Sequence, residues 1–351
     1  MSSIDVTALR EALQTVKYPG FSRDIVSFGL VKDIQADGQD VQVQMTLTTA
    51  DPKVARMIHD EAEAALKRLP GVRAVEVKID VQAPAQAAGV PGPAHIPGVK
   101  HVIAVASGKG GVGKSTVAAN LALALSSTGA KVGLLDCDFY GPSIAMMFGS
   151  NERPTADDDN NIIPVEREGL KLMSMGFLLE DDSPAVLRGP IVTRYTQQFL
   201  RQVNWAPLDY LVLDLPPGTG DIQLTIVQTI ALSGAVIVTT PQEVALIDAR
   251  KAVGMFERTN VPVLGIVENM SYFLCPSDGV RYNIFGEGGG QREAARLKVP
   301  LLGEIPIEIA VRESGDIGRP IVTAEPNGVV AQEFIKIASQ VRQKAESALG
   351  R

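Results

Sequence analysis

The chain has 351 residues, 45% of them hydrophobic, and carries 33 Lys and Arg against 40 Asp and Glu, a formal net charge of −7. Such a length holds core material for more than one domain, while the acidic balance, with no lysine- or arginine-rich block, opposes nonspecific nucleic-acid binding. Two cysteines argue against a disulfide framework, no apolar run is long enough to span a bilayer, and Met1 to Asp5 lacks the basic and apolar regions of a signal peptide. The expectation is a cytoplasmic protein acting on neither nucleic acid nor membrane.

Residues 1–80 read as a small α+β domain. Val6, Leu9, Leu13 and Val16 recur at helical spacing. Leu30 to Ile34, the turn pair Asp37-Gly38, and the alternation Val41, Val43, Met45, Leu47 predict a β-hairpin. A second helix runs from Val54 to Leu69, stopped by Pro70-Gly71, and Val75, Val77 and Ile79 alternate as a closing strand. Residues 81–98 turn to Ala, Gln, Pro and Gly, the composition of a linker. From residue 99 to 351, short apolar runs alternate with helical patterns: Val102 to Val105, Val132 to Asp136, Leu211 to Asp214, Val236 to Thr239, Leu264 to Val267 and Leu301 to Ile305. That alternation predicts an α/β domain with a mostly parallel sheet covered by helices on both faces. His59, His95 and His101 have no zinc-ligand spacing.

The chemistry is concentrated after the first of these strands. Gly108, Lys109, Gly110, Gly111, Val112, Gly113, Lys114, Ser115 and Thr116 carry the phosphate-loop spacing G-x-x-x-x-G-K-S/T, between an apolar strand and a helical pattern through Val117, Leu121 and Leu125. The glycines let successive backbone N–H groups curl around an anion at the positive end of a helix. Lys114 would add a charge near the β- and γ-phosphates, and the Ser115 hydroxyl would reach Mg²⁺. A nucleoside triphosphate, with ATP and Mg²⁺ as the pair, is the expected ligand.

Two later strands end in aspartate. Asp214, closing Leu211-Val212-Leu213, has the position of a Walker B carboxylate that holds Mg²⁺. Gly218, after Pro216-Pro217, is expected to offer a backbone N–H to the γ-phosphate and act as a switch. In Asp136-Cys137-Asp138, Asp138 is the candidate for positioning the attacking water and Asp136 for supporting the metal shell; Cys137 reads as a packing residue.

The second lysine of the loop, Lys109, resembles the signature lysine of the deviant Walker A ATPases, the class containing MinD and ParA. This implies a homodimer in which Lys109 reaches the partner's nucleotide. The segments Ser107–Thr116, D-C-D-F-Y-G-P-S (136–143), D-L-P-P-G-T-G-D (214–221), E-N-M-S-Y-F (268–273) and I-F-G-E-G-G-G (284–290) resemble the Mrp family of ATP-dependent iron–sulfur cluster carriers. The N-terminal segment resembles the small cluster-assembly domain often fused ahead of them. The resemblance implies ATP hydrolysis, adenine recognition by Asn269 with Pro306 nearby, and a [4Fe–4S] cluster shared across the dimer. It implies apo iron–sulfur proteins and cluster-assembly scaffolds as partners.

Two departures stand against it. Family members place C-P-x-C after E-N-M-S-Y-F, whereas this chain reads Cys275-Pro276-Ser277-Asp278, leaving Cys275 the one thiol ligand and a site expected to hold a labile cluster or none. The small domain has Thr48-Thr49-Ala50-Asp51-Pro52 where its relatives commonly carry a cysteine, so docking is its expected role. Two alternatives remain open: a cluster-free ATP-binding adaptor, and a MinD- or ParA-like positioning ATPase. The acidic balance and the mixed charge of the C-terminal helical pattern, with Glu333, Lys336, Lys344 and Glu346, argue against the latter.

Overall fold

The computed structural model describes residues 5–16, 24–26, 30–48, 52–82, 93–159, 161–178 and 189–348. The chain divides into two units, Met1–Pro91 and Gly92–Arg351. In the first, α1 (Val6–Leu13) starts at Asp5, whose carboxylate accepts from the Thr7 N–H at 2.9 Å. β1 (Val31–Asp37) and β2 (Asp40–Thr48) form an antiparallel hairpin whose turn holds Gly38 at φ 61°. Val41, Val43, Met45 and Leu47 all turn inward and are buried, as the two-residue period of a strand requires. Then α2 (Pro52–Lys67) crosses over, so that β3 (Ala74–Gln82) lies parallel to β2. Leu9 and Leu13 of α1 and Ile58, Ala62 and Leu66 of α2 close the core. Thr49, Ala50 and Asp51, within the loop lacking the family's cysteine, lie outside the described residues.

Structure encroaches on both ends of the stretch 81–98 expected as a linker. β3 runs to Gln82, and the Ala94 N–H donates to the Thr229 carbonyl at 2.8 Å. Ile96 is buried in the core of the second unit. Residues 83–92 are outside the described set.

The second unit begins with β4 (Val99–Ala106), α3 (Lys114–Ser126), β5 (Val132–Asp136) and α4 (Ile144–Met147). A short pair, β6 (Thr155–Ala156) and β7 (Ile162–Ile163), precedes β8 (Val165–Arg167) and β9 (Leu170–Met173). Next come α5 (Gly189–Gln202), β10 (Leu208–Asp214), α6 (Asp221–Thr229), β11 (Gly234–Thr239), α7 (Glu243–Arg258) and β12 (Val263–Glu268). A small hairpin, β13 (Phe273–Leu274) and β14 (Arg281–Tyr282), leads to α8 (Gly289–Leu297) and β15 (Leu301–Glu304). Helices α9 (Ile309–Asp316), α10 (Ile321–Ala324) and α11 (Val329–Ala348) close the chain.

Eight strands form one sheet in the order β15-β12-β11-β4-β10-β5-β9-β8, parallel throughout except for the edge pair β8–β9. Alternate residues of β4 feed two cores: Ile103 and Val105 meet α3 and α11, whereas Val102, Ala104 and Ala106 share the other face with α6 and α7. α3 is buried on nearly all sides, which its alanines and leucines tolerate and a polar helix would not. β4 is central in this sheet and its C-terminal end feeds the phosphate loop, so the loop sits where parallel sheets bind ligands.

Candidate functional site

Between β4 and α3 the chain turns on glycine. Gly111 and Gly113 take φ of 81° and 78°, and Gly113 is the left-handed N-cap of α3 with no side chain capping it. The first-turn N–H groups of α3 therefore remain for an anion. Close packing also demands the glycines. A Cβ on Gly108 would fall 2.1 Å from the backbone of Asp248 on α7, and one on Gly113 would fall 2.2 Å from Asn269 Nδ2. A cavity of about 710 Å³ opens over this loop, bordered by Lys109, Lys114, Ser115, Thr116, Asp138 and Asn269, and on its far wall by Ile305 to Glu308.

Lys114 and Asp214 form a buried ion pair, 6% and 0% exposed. Lys114 Nζ also donates to Ser115 Oγ at 3.2 Å, so the lysine bridges Ser115 and Asp214. Burial pushes the Asp214 carboxyl above the usual carboxylate range, opposed by Lys114. Asp214 Oδ2 is buried without a hydrogen-bond partner. An orphan carboxylate oxygen beside the Ser115 hydroxyl is a donor set suited to hard Mg²⁺, which takes oxygen ligands.

Asp136, expected to support the metal shell, is engaged by hydrogen bonds within its own turn. Its Oδ1 accepts from the Asp138 N–H at 3.0 Å, and Oδ2 from the N–H groups of Ser143 (3.0 Å) and Ile144 (3.2 Å) and the Ser174 hydroxyl (3.0 Å). Both oxygens are thus spent on holding the D-C-D-F-Y-G-P-S turn and the start of α4. Burial, then the charge of Asp214, push it up to about 7, against the pull of those donors. Asp138, held at its base by Asp136, reaches the cavity wall. Cys137 is buried between them, its thiol pushed well up by burial and the surrounding carboxylates, so it packs and does not react. The Gly218 N–H, expected to face the γ-phosphate, donates instead to the Ser107 carbonyl at 3.0 Å, with φ of 92°.

After β12, Asn269 Nδ2 donates to the Val112 carbonyl at 2.9 Å, tying the end of that strand to the phosphate loop, and Asn269 and Pro306 both border the cavity. Cys275 lies in the turn between β13 and β14, half-buried, with Sγ 3.0 Å from Ser277 Oγ. Asp278, where the family has its second cysteine, folds back onto the same hairpin: Oδ1 accepts from the Val280 N–H at 2.9 Å and Oδ2 from the Tyr282 hydroxyl at 3.0 Å. Those bonds hold its carboxyl below the usual range, the Val280 N–H contributing most. Among the described residues, no group of three or more His, Cys, Asp or Glu is arranged to hold a metal ion.

Sequence reasoning missed three supports. Gln223 braces the Pro216 carbonyl behind the Gly218 turn. Asp248 makes Gly108 obligatory by close approach of its backbone. The fully buried Glu268 accepts from the Ser271 hydroxyl at 2.6 Å and from the Gly290 N–H. The available signal for the last was an acidic residue closing an apolar strand, the pattern already used for Asp214.

Comparison with known proteins places the chain. The ParA family described as NUBPL iron-transfer P-loop NTPase matches residues 98–342, and an iron–sulfur cluster assembly protein family matches 7–79. Iron–sulfur cluster carrier proteins of Deinococcus radiodurans and Escherichia coli are 48% and 42% identical, each over 94% of this chain and 93% and 89% of their own length. A nucleotide-binding protein from Archaeoglobus fulgidus, solved in complex with ADP, is 43% identical with a TM-score of 0.60, covering 68% of this chain and 94% of its own. The MinD cell-division ATPase of Pyrococcus furiosus covers 69% of this chain and 98% of its own at 22% identity and TM-score 0.52, and shares the fold. The chain belongs to the iron–sulfur cluster carrier family of P-loop NTPases.

Proposed function

We propose that this protein is an ATP-hydrolysing carrier that holds an iron–sulfur cluster between two protomers, each contributing Cys275, and passes it to apo-proteins in the cytoplasm. The observation that carries the reading is the placement of Cys275 on a hairpin bonded to the wall of the nucleotide cavity, through the Ile307 N–H to the Tyr272 carbonyl at 2.6 Å. Four ligands are the usual complement of a cluster; one chain offers one accessible thiol, and a second copy brings the protein thiols to two.

In this reading the α3 N-terminus and Lys114 bind the β- and γ-phosphates, and Lys114 exchanges its bond to Asp214 for one to phosphate. Ser115 and Asp214 would hold Mg²⁺, which when bound neutralises developing charge on the phosphate oxygens. Asp138 accepts a hydrogen bond from the attacking water and orients it. The Gly218 N–H exchanges the Ser107 carbonyl for the γ-phosphate, which makes the Pro217-Gly218 turn the element that senses hydrolysis. Lys109 supplies charge to the partner's nucleotide, and the small N-terminal domain docks recipients or cluster-assembly scaffolds.

Anaerobic reconstitution followed by iron and acid-labile sulfide analysis tests the proposal. Iron above background, lost on Cys275→Ser, is expected; background iron in protein that still binds ATP refutes carriage. The engagement of Asp278 within its own hairpin favours one second reading, a cluster-free ATP-binding adaptor. Asp278→Cys separates the two: a cluster in that variant alone shows a ligand set that has degenerated.

A further inference from the structure

The turn after β10 has few ties to the rest of the domain. Pro216 and Pro217 have no N–H to donate, and the last sheet bond before them runs from the Leu215 N–H to the Val105 carbonyl at 3.0 Å. Among the described residues, two hydrogen bonds hold 216–219. One joins the Gly218 N–H to the Ser107 carbonyl, and the other joins Gln223 Nε2 to the Pro216 carbonyl. Pro217 is exposed and borders the nucleotide cavity. A Cβ on Gly218 or Gly220 would meet nothing within 4 Å, so the stiff proline pair is followed by glycines with open space beside them. Once Gly218 leaves Ser107 for a phosphate, the Gln223 bond is the tie that remains.

Gln223 is a costly residue for its place. It lies in the first turn of α6, 1% exposed, on the face that also buries Ile226, Val227 and Ile230. Its Oε1 is buried with no hydrogen-bond partner. Turning the amide over would set that oxygen against the Pro216 carbonyl, so the orientation is fixed. A buried orphan acceptor costs at least as much as the single bond to Pro216 returns, and an apolar side chain would continue the stripe. Packing alone does not favour glutamine here, and side chains that break a local rule in this way belong to functional sites.

We propose that Gln223 is a positioning residue for ATP hydrolysis: its carboxamide anchors the Pro216 carbonyl, so that the Pro217-Gly218 turn meets the γ-phosphate from a fixed base. It touches no substrate atom and acts through the turn. This rests on the reading of Gly218 as the γ-phosphate sensor, and names the residue that keeps the sensor aligned. With the anchor in place, Gly218 changes partner while Pro216 stays. Without it the whole turn shifts, and the Gly218 N–H is aligned in few of the positions it visits. The phosphate loop holds the rest of the nucleotide, so ADP affinity does not depend on the anchor.

Gln223→Met keeps the length of the side chain and removes both polar ends. In the full-length protein with Mg·ATP, kcat is expected to fall ~10- to 100-fold, the scale of a misplaced group. KM and the calorimetric affinity for ADP are expected to stay within about twofold of wild type. The melting temperature without nucleotide should hold or rise, because the orphan oxygen is removed together with the bond. A side chain that only packs gives the reverse, a lower melting temperature with kcat unchanged. That result, or a loss of ADP affinity as large as the loss of kcat, overturns the proposal. If Gln223→Met does not fold, Gln223→Asn, whose amide is one methylene short of Pro216, is read by the same kcat and ADP measurements. Gly218→Ala tests the premise separately. Wild-type kcat in Gly218→Ala beside an impaired Gln223→Met refutes Gly218 as the sensor and leaves Gln223 positioning the turn. An impaired Gly218→Ala beside wild-type kcat in Gln223→Met refutes the role of Gln223 and leaves the sensor.

Discussion

Removing one member of the Lys114–Asp214 pair should destabilise the empty protein before any effect on catalysis is measured. Both groups are out of water, at 6% and 0% exposure, and one carboxylate oxygen already lacks a partner. Breaking a buried pair by neutralising one side costs ~3–5 kcal/mol, because the other charge is left uncompensated, whereas replacing both partners costs far less. The set is Lys114→Met, which keeps the stem, Asp214→Asn, and the double variant. Urea unfolding without nucleotide is followed by Trp205, the chain's single tryptophan, buried in the second unit with its Nε1 donating to the Phe199 carbonyl. Each single variant should lose several kcal/mol and the double variant much less than their sum.

The pH dependence gives an independent sign. In Lys114→Met the cation that pulls Asp214 down most is gone, and burial and the charge of Asp138 are opposed only by Ser115, so its folded pKa lies further above the unfolded value. A carboxyl raised on folding contributes stability that is full below the unfolded value, ~3.9, and lost as pH climbs through the folded one. The cost of Lys114→Met should therefore shrink on acidification. Single costs below ~1 kcal/mol, as for an exposed pair, would refute the reasoning. So would strict additivity or a cost independent of pH.

Lys109→Ala should keep ATP binding in cis but lose ATP-dependent pairing and hydrolysis, whereas Lys114→Ala should abolish binding; calorimetry and sedimentation with Mg·ATP separate the two, and equal loss of affinity contradicts a trans role. Gly108→Ala puts a methyl 2.1 Å from the Asp248 backbone and should lower the melting temperature and weaken ADP at least ~10-fold, about 1.4 kcal/mol. Gly110→Ala, whose nearest neighbour would be 4.0 Å away, should leave the melting temperature unchanged. His101 is stacked on Tyr210 at 5.2 Å, and burial depresses its pKa, Glu346 and Asp209 opposing and Lys100 assisting. As pH falls below about 6.5 the unfolded chain takes the proton first, so thermal stability should drop there, and His101→Phe should flatten that limb of the melting curve.

What could be read from the sequence was whatever depends on local main-chain chemistry. The strand, glycine turn and helix around Gly108 to Ser115 are specified by neighbours in the chain, and so is the alternation Val41 to Leu47. Asp136 was not legible, because three of its donors come from Ser143, Ile144 and Ser174, 7, 8 and 38 positions away. An aspartate closing an apolar strand looks the same whether it faces a cation or caps a turn. The Glu268 clamp is hidden in the same way, since Gly290 arrives from 22 positions further on. Strand order escapes for a different reason: β4, β10 and β11 are equally apolar, and only tertiary packing puts β4 between the other two. The hairpin bearing Cys275 has strands of two residues each, too short for any periodicity to register.

Asp278 is where a substitution legible in the sequence acquires a meaning only the structure supplies. A carboxylate in place of a thiolate looks like an alternative ligand, harder and weaker toward iron. Here, both its oxygens are committed to Val280 and Tyr282, and the thiol of Cys275 also leans on it. To ligate iron, Asp278 would have to give up bonds that shape the turn presenting Cys275, so the same residue cannot serve both ends well. On the carrier reading, two Cys275 thiolates then hold the cargo while two carboxylates keep their hairpins in shape. A cluster with such an incomplete protein ligand set exchanges readily with a four-thiolate acceptor. Preformed hairpins favour its capture without the ordering cost a flexible loop would incur, and a weak hold favours its release.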